Sequence, residues 1–333
     1  MERSGNCPCG CALGTALTGF GTTRDGTAVE AITIRGHGLS TTVLTYGAII
    51  QDVRLDGIAH SLTVGSNMLA DYEGDMRYFG CVVAPVANRL RDASAVIDGA
   101  HHTFEPNLDG QHTLHSGSNG AHVCVWDIDD VTEDAVTLSY QMPDGRGGFP
   151  GNRTISAQFE IGPGPTLRLT LTTTTDAPSI ANATNHSYWN LDGSNTFKGH
   201  KIIIAADHYL PTNPVDTLVT GEIRAVKNTA FDFRTMTTMT PASPLLDHTF
   251  CVAHDRGALT DRLWLEGTSG VTMRVATTEA GVHVYDARDS GHCALAVEAQ
   301  SWPDAPSNTE FPSIVVTPES PVVQITEWLF TKG

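Results

Sequence analysis

The stretch Thr166-Leu167-Arg168-Leu169-Thr170-Leu171-Thr172 places a leucine at every second position, with threonine or arginine between the leucines. Side chains along a β-strand point alternately to its two faces, so this pattern predicts a strand with one buried face and one polar face. The same period of two recurs over residues 136–142, 155–161 and 271–275. The chain is therefore predicted to consist mainly of β-strands.

Helical periodicity is nearly absent, and the single short candidate lies around residues 67–71. The chain contains 32 glycines and 17 prolines, which favour many turns between short strands. These features predict an all-β fold, either an antiparallel sandwich or a closed β architecture. We expect residues 1–20 to form a mobile tail and residues 21–333 to form a single domain, because no repeat or linker divides them.

The charge balance limits the classes of partner. Lys+Arg 20 against Asp+Glu 37 gives a net charge of −17, which argues against nucleic acid and against a surface for anionic lipid. No apolar run reaches the roughly eighteen residues that a membrane span needs. The N-terminal residues lack the apolar core of a signal peptide, so we expect a cytoplasmic protein.

Seven cysteines are an odd number for a disulfide framework, and scattered single cysteines are typical of a reducing compartment. Three of them form Cys7-Pro8-Cys9-Gly10-Cys11, which could bind a soft metal. No His or Cys pair at zinc-site spacing follows, and we therefore expect no metal site.

The segment 184–193 is the richest in chemically active groups. His186 lies between the amide of Asn185 and the hydroxyl of Ser187, and Tyr188-Trp189 follow at once. Histidine can give or take a proton near neutral pH, and flat aromatic side chains offer surfaces on which sugar rings stack. The alternative is a histidine at a strand end with aromatic neighbours in the core.

Polar residues interrupt the β pattern at other places. The pair Asn88-Arg89 follows a small apolar run, and is either a functional pair or a surface turn. His115 lies in a loop beside Ser and Gly, and Asp247 precedes a histidine. Glu298 stands among apolar residues in a predicted strand, so its carboxylate is either paired or has a raised pKa, as a general base or acid requires.

In this order the clusters resemble motifs of the aldose 1-epimerase (galactose mutarotase) family, over about residue 28 to the C-terminus. The resemblance implies a β-supersandwich with large, twisted antiparallel sheets, and an enzyme that interconverts the α and β anomers of a free hexose without cofactor or metal. The matching segments are residues 87–90, 114–117, 185–191, 210–211, 221–223, 231–234 and 298–304.

The resemblance also implies roles for single residues. Glu298 would take the proton of the C1 hydroxyl as general base, and His186 would protonate the ring oxygen as general acid. His115 would assist near the ring oxygen, and Tyr188 or Trp189 would stack on the sugar or belong to the core. The sugar hydroxyls would be bound by Asn88, Arg89 and Asp247.

The chain departs from the family pattern at Ala84-Pro85, at Ser116 and at His283, which stands where the family has a glutamine. We expect His283 either to bind the sugar or to point to solvent. Three rival functions remain open: a hexose-6-phosphate 1-epimerase of the same fold, a glycoside hydrolase that uses two carboxylates, and a non-catalytic sugar-binding protein. The preferred sugar and the oligomeric state are not readable from the sequence.

Overall fold

A computed structural model describes residues 16–288 and 294–333. The cysteine run at residues 7–11 lies outside these residues. The first strand begins at Ala16, so the predicted tail over residues 1–20 is too long at its C-terminal end. The assignment of residues 21–333 to one domain remains a prediction.

Strands dominate both halves of the described chain. The first thirteen are β1 (Ala16–Thr22), β2 (Ala28–Gly36), β3 (Leu39–Leu44), β4 (Ile49–Leu55), β5 (Val82–Val83), β6 (Arg89–Leu90), β7 (Ser94–Ile97), β8 (Ala100–Thr103), β9 (Thr113–Leu114), β10 (Asp127–Val131), β11 (Ala135–Met142), β12 (Arg153–Gly162) and β13 (Thr166–Thr175). The next fourteen are β14 (Ser179–Ile180), β15 (Thr184–Asn185), β16 (Tyr188–Trp189), β17 (Lys201–Ile204), β18 (His208–Leu210), β19 (Arg224–Ala225), β20 (Thr237–Thr238), β21 (Asp247–Cys251), β22 (Thr260–Glu266), β23 (Val271–Thr277), β24 (Gly281–Tyr285), β25 (Leu295–Gln300), β26 (Val315–Val316) and β27 (Val322–Lys332).

Helix is limited to single turns in the described residues. The α-helical turn α1 covers Leu69–Tyr72, which agrees with the short helix predicted near residues 67–71. The 3-10 turns cover Arg91–Ala93, Gly117–Asn119, Ala121–Val123, Arg146–Gly148 and Ala305–Ser307. None of the helices in the described ranges is long and apolar enough to cross a membrane.

The largest sheet has nine strands in the order β10-β11-β12-β13-β27-β23-β22-β17-β20. The stretch that predicted the fold lies in β13, which pairs antiparallel with β12 and β27 at the centre of this sheet. Leu167, Leu169 and Leu171 are buried and the residues between them are half-buried, as the alternation predicts. Burying three leucines contributes about 1.5–3 kcal/mol each relative to exposure.

A six-stranded sheet, β16-β25-β24-β21-β18-β19, packs against the nine-stranded sheet. Trp189 of β16 and Trp328 of β27 meet in the shared core with ring centres 5.6 Å apart, and both side chains are buried. Trp189 is therefore a core residue and does not stack on a ligand. A four-stranded sheet, β1-β2-β3-β4, completes the large sheets.

Candidate active site

One cavity of about 450 Å³ brings together all seven residues that the sequence nominated as site residues. Five of its lining residues come from the six-stranded sheet, and the rest come from loops and short strands packed beside it. The lining residues are Asp75, Tyr78, Phe79, Asn88, Arg89, Leu114, His115, His186, Tyr188, Thr217, Asp247, His283, Tyr285 and Glu298.

Three neighbouring strands of the six-stranded sheet place the central groups of this cavity. Glu298 on β25 lies directly opposite His283 on β24, and Thr249 on β21 lies opposite His283 on its other side. Directly opposite residues of antiparallel strands point to the same face of the sheet. The register therefore aligns these side chains in a row beneath the cavity.

Glu298 and His186 approach each other inside the cavity, and both are almost completely buried. Glu298 Oε1 lies 3.4 Å from His186 Nε2, while Glu298 Oε2 has no partner among the described residues. His186 is held by its backbone, because its N–H donates to Cys81 O and its carbonyl accepts from Gly80 N–H. An unpaired buried acceptor is costly, so Oε2 is available for a ligand hydroxyl.

His115 is fixed as a neutral hydrogen-bond donor. The backbone N–H of Asn88 donates to His115 Nδ1 at 3.1 Å, which leaves the ring proton on Nε2. Burial lowers the pKa of His115 well below its usual value, and the charges of His186, His122 and Arg89 act in the same direction. His115 therefore stays neutral at neutral pH and presents its Nε2–H as a hydrogen-bond donor.

The backbones of Asn88 and His115 are both left-handed, with φ of 62° and 50°. Non-glycine residues adopt this conformation uncommonly, and it is enriched for Asn and His. A further hydrogen bond from His115 N–H to Asn88 O, of 2.9 Å, holds the two turns together. This strained pair aims two polar side chains into the same cavity.

Aromatic rings surround the two catalytic histidine candidates. The ring centre of Tyr78 lies 4.7 Å from that of His115 and 5.9 Å from that of His186. Tyr188 lies 5.1 Å from His186 and stacks on Phe79 at 3.8 Å. Tyr188 therefore lines the cavity, unlike Trp189, and these rings form its apolar wall.

Asp247 is an ionised carboxylate clamped between two donors. Arg89 Nη2 donates to Asp247 Oδ2 and His283 Nε2 donates to Asp247 Oδ1, each at 3.0 Å. Burial raises the pKa of Asp247, but the hydrogen bond from His283 and the charge of Arg89 outweigh it and hold this pKa well below its usual range. His283 thus lines the cavity, and its predicted alternative orientation toward solvent is wrong.

Sequence reasoning missed the lining residues Asp75, Tyr78, Phe79, Thr217 and Tyr285. Most of them lie on loops whose path depends on long-range packing. No residue spacing in the sequence predicts that these loops reach the cavity. Arg89 is the sole Lys or Arg among the described lining residues, and three carboxylates line the same cavity. The described residues contain no cluster of His, Cys, Asp and Glu suited to a metal ion.

Fold and site together define an acid–base site for a small polar ligand on a β-supersandwich. The aldose 1-epimerase family matches residues 30–325, and the chain belongs to this family. The prediction of an isomerase of this type, and of its fold class, is thereby confirmed.

Named relatives cover nearly the whole chain. Galactose mutarotase of Rattus norvegicus is 30% identical over 317 residues, which are 88% of this chain and 91% of the relative. Aldose 1-epimerase of Escherichia coli K12 is 27% identical over 338 residues, 92% of this chain and 96% of the relative.

Solved structures agree with the fold. The GalM/aldose epimerase homologue from C. elegans superposes with a TM-score of 0.85 at 27% identity, and covers 92% of this chain and 99% of its own. Galactose 1-epimerase from Lactobacillus acidophilus NCFM has a TM-score of 0.83 at 23% identity, with 96% and 99% covered.

Proposed function

We propose that the protein interconverts the α and β anomers of a free aldohexose, with Glu298 as general base and His186 as general acid. The observation that carries this proposal is the 3.4 Å approach of Glu298 Oε1 to His186 Nε2 inside the cavity. Anomer exchange needs a base at O1 and an acid at the ring oxygen, and both oxygens are bonded to C1. A base and an acid that lie side by side suit this requirement.

The protons balance within one cycle. Glu298 removes the proton from the C1 hydroxyl while protonated His186 delivers its proton to the ring oxygen, so the C1–O bond of the ring breaks and C1 becomes a carbonyl. The C1–C2 bond rotates, and the hydroxyl that was formed from the ring oxygen attacks the other face of the carbonyl. His186 then recovers its proton from the attacking hydroxyl, and Glu298 returns its proton to O1.

His115 donates a hydrogen bond from Nε2–H toward the ring oxygen but does not transfer this proton. Burial lowers the pKa of His115, so its imidazole stays neutral. Asn88, Arg89 and Asp247 bind the sugar hydroxyls, and His283 lies beside them in the cavity, bonded to Asp247. A guanidinium beside a carboxylate offers donors and acceptors side by side, which matches two neighbouring hydroxyls of a sugar. Tyr188 supplies apolar surface for the sugar ring.

The charges of the cavity favour a neutral sugar over a phosphorylated one. A phosphate needs cationic donors, and the guanidinium of Arg89 is already paired with Asp247 at 3.0 Å. Asp75, Asp247 and Glu298 add negative charge to the described lining. We therefore expect free hexoses to be preferred to hexose 6-phosphates.

Glycoside hydrolysis is disfavoured by the state of Asp247. A hydrolase needs a second carboxyl group that can act as acid or nucleophile. Burial raises the pKa of Asp247, but His283 and Arg89 hold it far below its usual range, so Asp247 cannot be the acid of such a pair. Its two oxygens are also engaged by these donors.

We also propose a cytoplasmic location and a small-molecule sugar as the partner. Among the described cysteines, Cys81, Cys124 and Cys251 are free thiols, which suits a reducing compartment.

Polarimetry of freshly dissolved α-glucose and α-galactose tests the proposal. We expect the protein to accelerate the approach to anomeric equilibrium for at least one free hexose. A protein that binds sugar without changing the rate would be a binding protein instead. Acceleration limited to hexose 6-phosphates would assign it to the phosphosugar epimerases.

A further inference from the structure

Four side chains that face the cavity form a closed ring of hydrogen bonds. Arg89 Nη2 donates to Asp247 Oδ2 at 3.0 Å, and Arg89 Nη1 donates to Asn88 Oδ1 at 3.4 Å. Asn88 Nδ2 lies 3.4 Å from His283 Nδ1, and His283 Nε2 lies 3.0 Å from Asp247 Oδ1. Each member therefore contacts two others, and the ring returns to its start.

The donors of Arg89 determine which way the Asn88 amide points. The backbone N–H of Arg89 donates to Asn88 Oδ1 at 2.9 Å, in addition to Nη1, so this position must be the carbonyl oxygen. The amide nitrogen then faces His283 Nδ1. An amide nitrogen has only donors, and Nδ1 must therefore be an acceptor without a proton.

The ring thus specifies one form of the imidazole. With Nδ1 as acceptor, the single proton of neutral His283 lies on Nε2, where it points at Asp247 Oδ1. The hydroxyl of Thr249, 2.9 Å from Nδ1, adapts because it can donate or accept. Asp247 alone would accept a hydrogen bond from a neutral or a protonated imidazole. The N–H groups of Asn88 are therefore what disfavours a proton on Nδ1.

We propose that Asn88, oriented by Arg89, locks His283 in its neutral Nε2–H form, and that His283 is a positioning residue for the sugar-binding carboxylate of Asp247. This inference rests on the proposed function, since it describes how the same site is kept ready for a sugar. The charged and titratable groups around His283 include Asp247 and His248 on β21, Glu298 on β25, Arg89 on β6 and His115 after β9.

Protonation of His283 opens the ring. A proton on Nδ1 would face the N–H groups of Asn88, so the amide must turn, and its oxygen then leaves the two donors of Arg89. Arg89 then loses its fixed partner Asn88, and Arg89 is one of the two donors that hold Asp247. Sugar binding therefore weakens as His283 becomes protonated, and this weakening appears in KM more than in kcat because the ring orients substrate and transition state alike.

Nitrogen-15 NMR of the histidine rings tests the lock on the ligand-free protein at pH 7, without any activity. The signals of His283 are assigned by their loss in His283→Gln. We expect a protonated Nε2 and an unprotonated Nδ1 in the wild type and in the control Thr249→Val. In Asn88→Asp a carboxylate faces Nδ1, and we expect both ring nitrogens to be protonated. A proton on Nδ1 of the wild type, or an unchanged Asn88→Asp spectrum, overturns the lock.

Kinetics test the positioning role. Glutamine offers one donor and one acceptor, as the neutral imidazole does, whereas leucine offers neither. We expect His283→Leu to raise KM about 10–100-fold, as loss of a hydrogen bond to a charged group does, and His283→Gln to recover most of this loss. Equal KM values for the two variants would contradict the role.

The NMR and kinetic experiments distinguish failure of this inference from failure of the proposed function. If the protein does not catalyse anomer exchange, the NMR result still decides the state of His283, and sugar affinity measured by calorimetry replaces KM.

Discussion

His122 is a buried histidine whose replacement should make the protein less sensitive to acid. It lies in the turn Ala121–Val123, its side chain is fully buried, and neither ring nitrogen has a partner among the described residues. Its ring centre lies 5.1 Å from that of Tyr78, in the wall of the cavity. Burial, followed by the charges of Arg77 and His186, lowers the pKa of His122 to about 3.

The sign of the effect follows from proton binding. The unfolded chain takes up a proton at His122 below its ordinary pKa of 6.5, whereas the folded protein does so only near pH 3. The stabilisation by neutral His122 is therefore complete above pH 6.5, and is lost as the pH falls from 6.5 toward 3. At about 1.4 kcal/mol per pH unit, the loss at pH 4.5 is about 3 kcal/mol.

Urea denaturation at pH 7 and 4.5 measures how much unfolding free energy each variant loses as the pH falls, and the difference between variants gives the contribution of His122. We expect His122→Leu to lose about 3 kcal/mol less unfolding free energy than the wild type over this range. His122→Asn is the matched control, because it also removes the titration but buries an unpartnered amide. It should be less stable than His122→Leu at pH 7 and show the same reduced pH dependence. Wild-type pH dependence in both variants would refute the reasoning.

Two further predictions concern the catalytic roles and the substrate. His186→Asn should lower kcat by about 10²–10⁴-fold, the usual contribution of one general acid–base group. His115→Asn should lower kcat less, because His115 acts as a neutral donor. Polarimetry at saturating sugar compares the two variants, and a larger loss of kcat in His115→Asn would exchange the two roles. Hexose 6-phosphate should have a lower kcat/KM than free hexose, because Arg89 is occupied by Asp247; competition kinetics that favour the phosphosugar would contradict this.

The fold was predictable where the pattern is long. In β13 seven residues, 166–172, alternate between threonine or arginine and leucine, and their burial follows this alternation. Strands β15 and β16 contain two residues each, which is too short for any period to be visible. Their partners, β5 and β25, are far away in the chain, so long-range packing alone makes them strands.

That Glu298 and His186 meet in one cavity was predictable, because the motifs that carry them match the family. The wall residues Tyr78 and Asp75 were not predictable, because the loop that carries them has no pattern tying it to the sheet. The orientation of His283 was left open by the sequence, since both faces of β24 are buried and alternation gives no direction there. The register with Glu298 decides it.

The neutral Nε2–H form proposed for His283 could not be predicted from the sequence either. It depends on the left-handed backbone of Asn88, with φ of 62°, which brings this amide between Arg89 and His283. Asparagine tolerates this conformation but does not require it. Such a detail follows from the packed structure and not from the motif.

The rate of mutarotation by Glu298→Gln, compared with the wild type, tests the central claim most directly. Glutamine keeps the shape of the side chain and removes the basic carboxylate, so the rate at saturating free hexose should fall by at least the ~10²–10⁴-fold typical of one acid–base group. Circular dichroism and sugar affinity should stay close to those of the wild type, which shows that the fold and the cavity are intact. Mutarotation by this variant at a rate near that of the wild type would contradict the account.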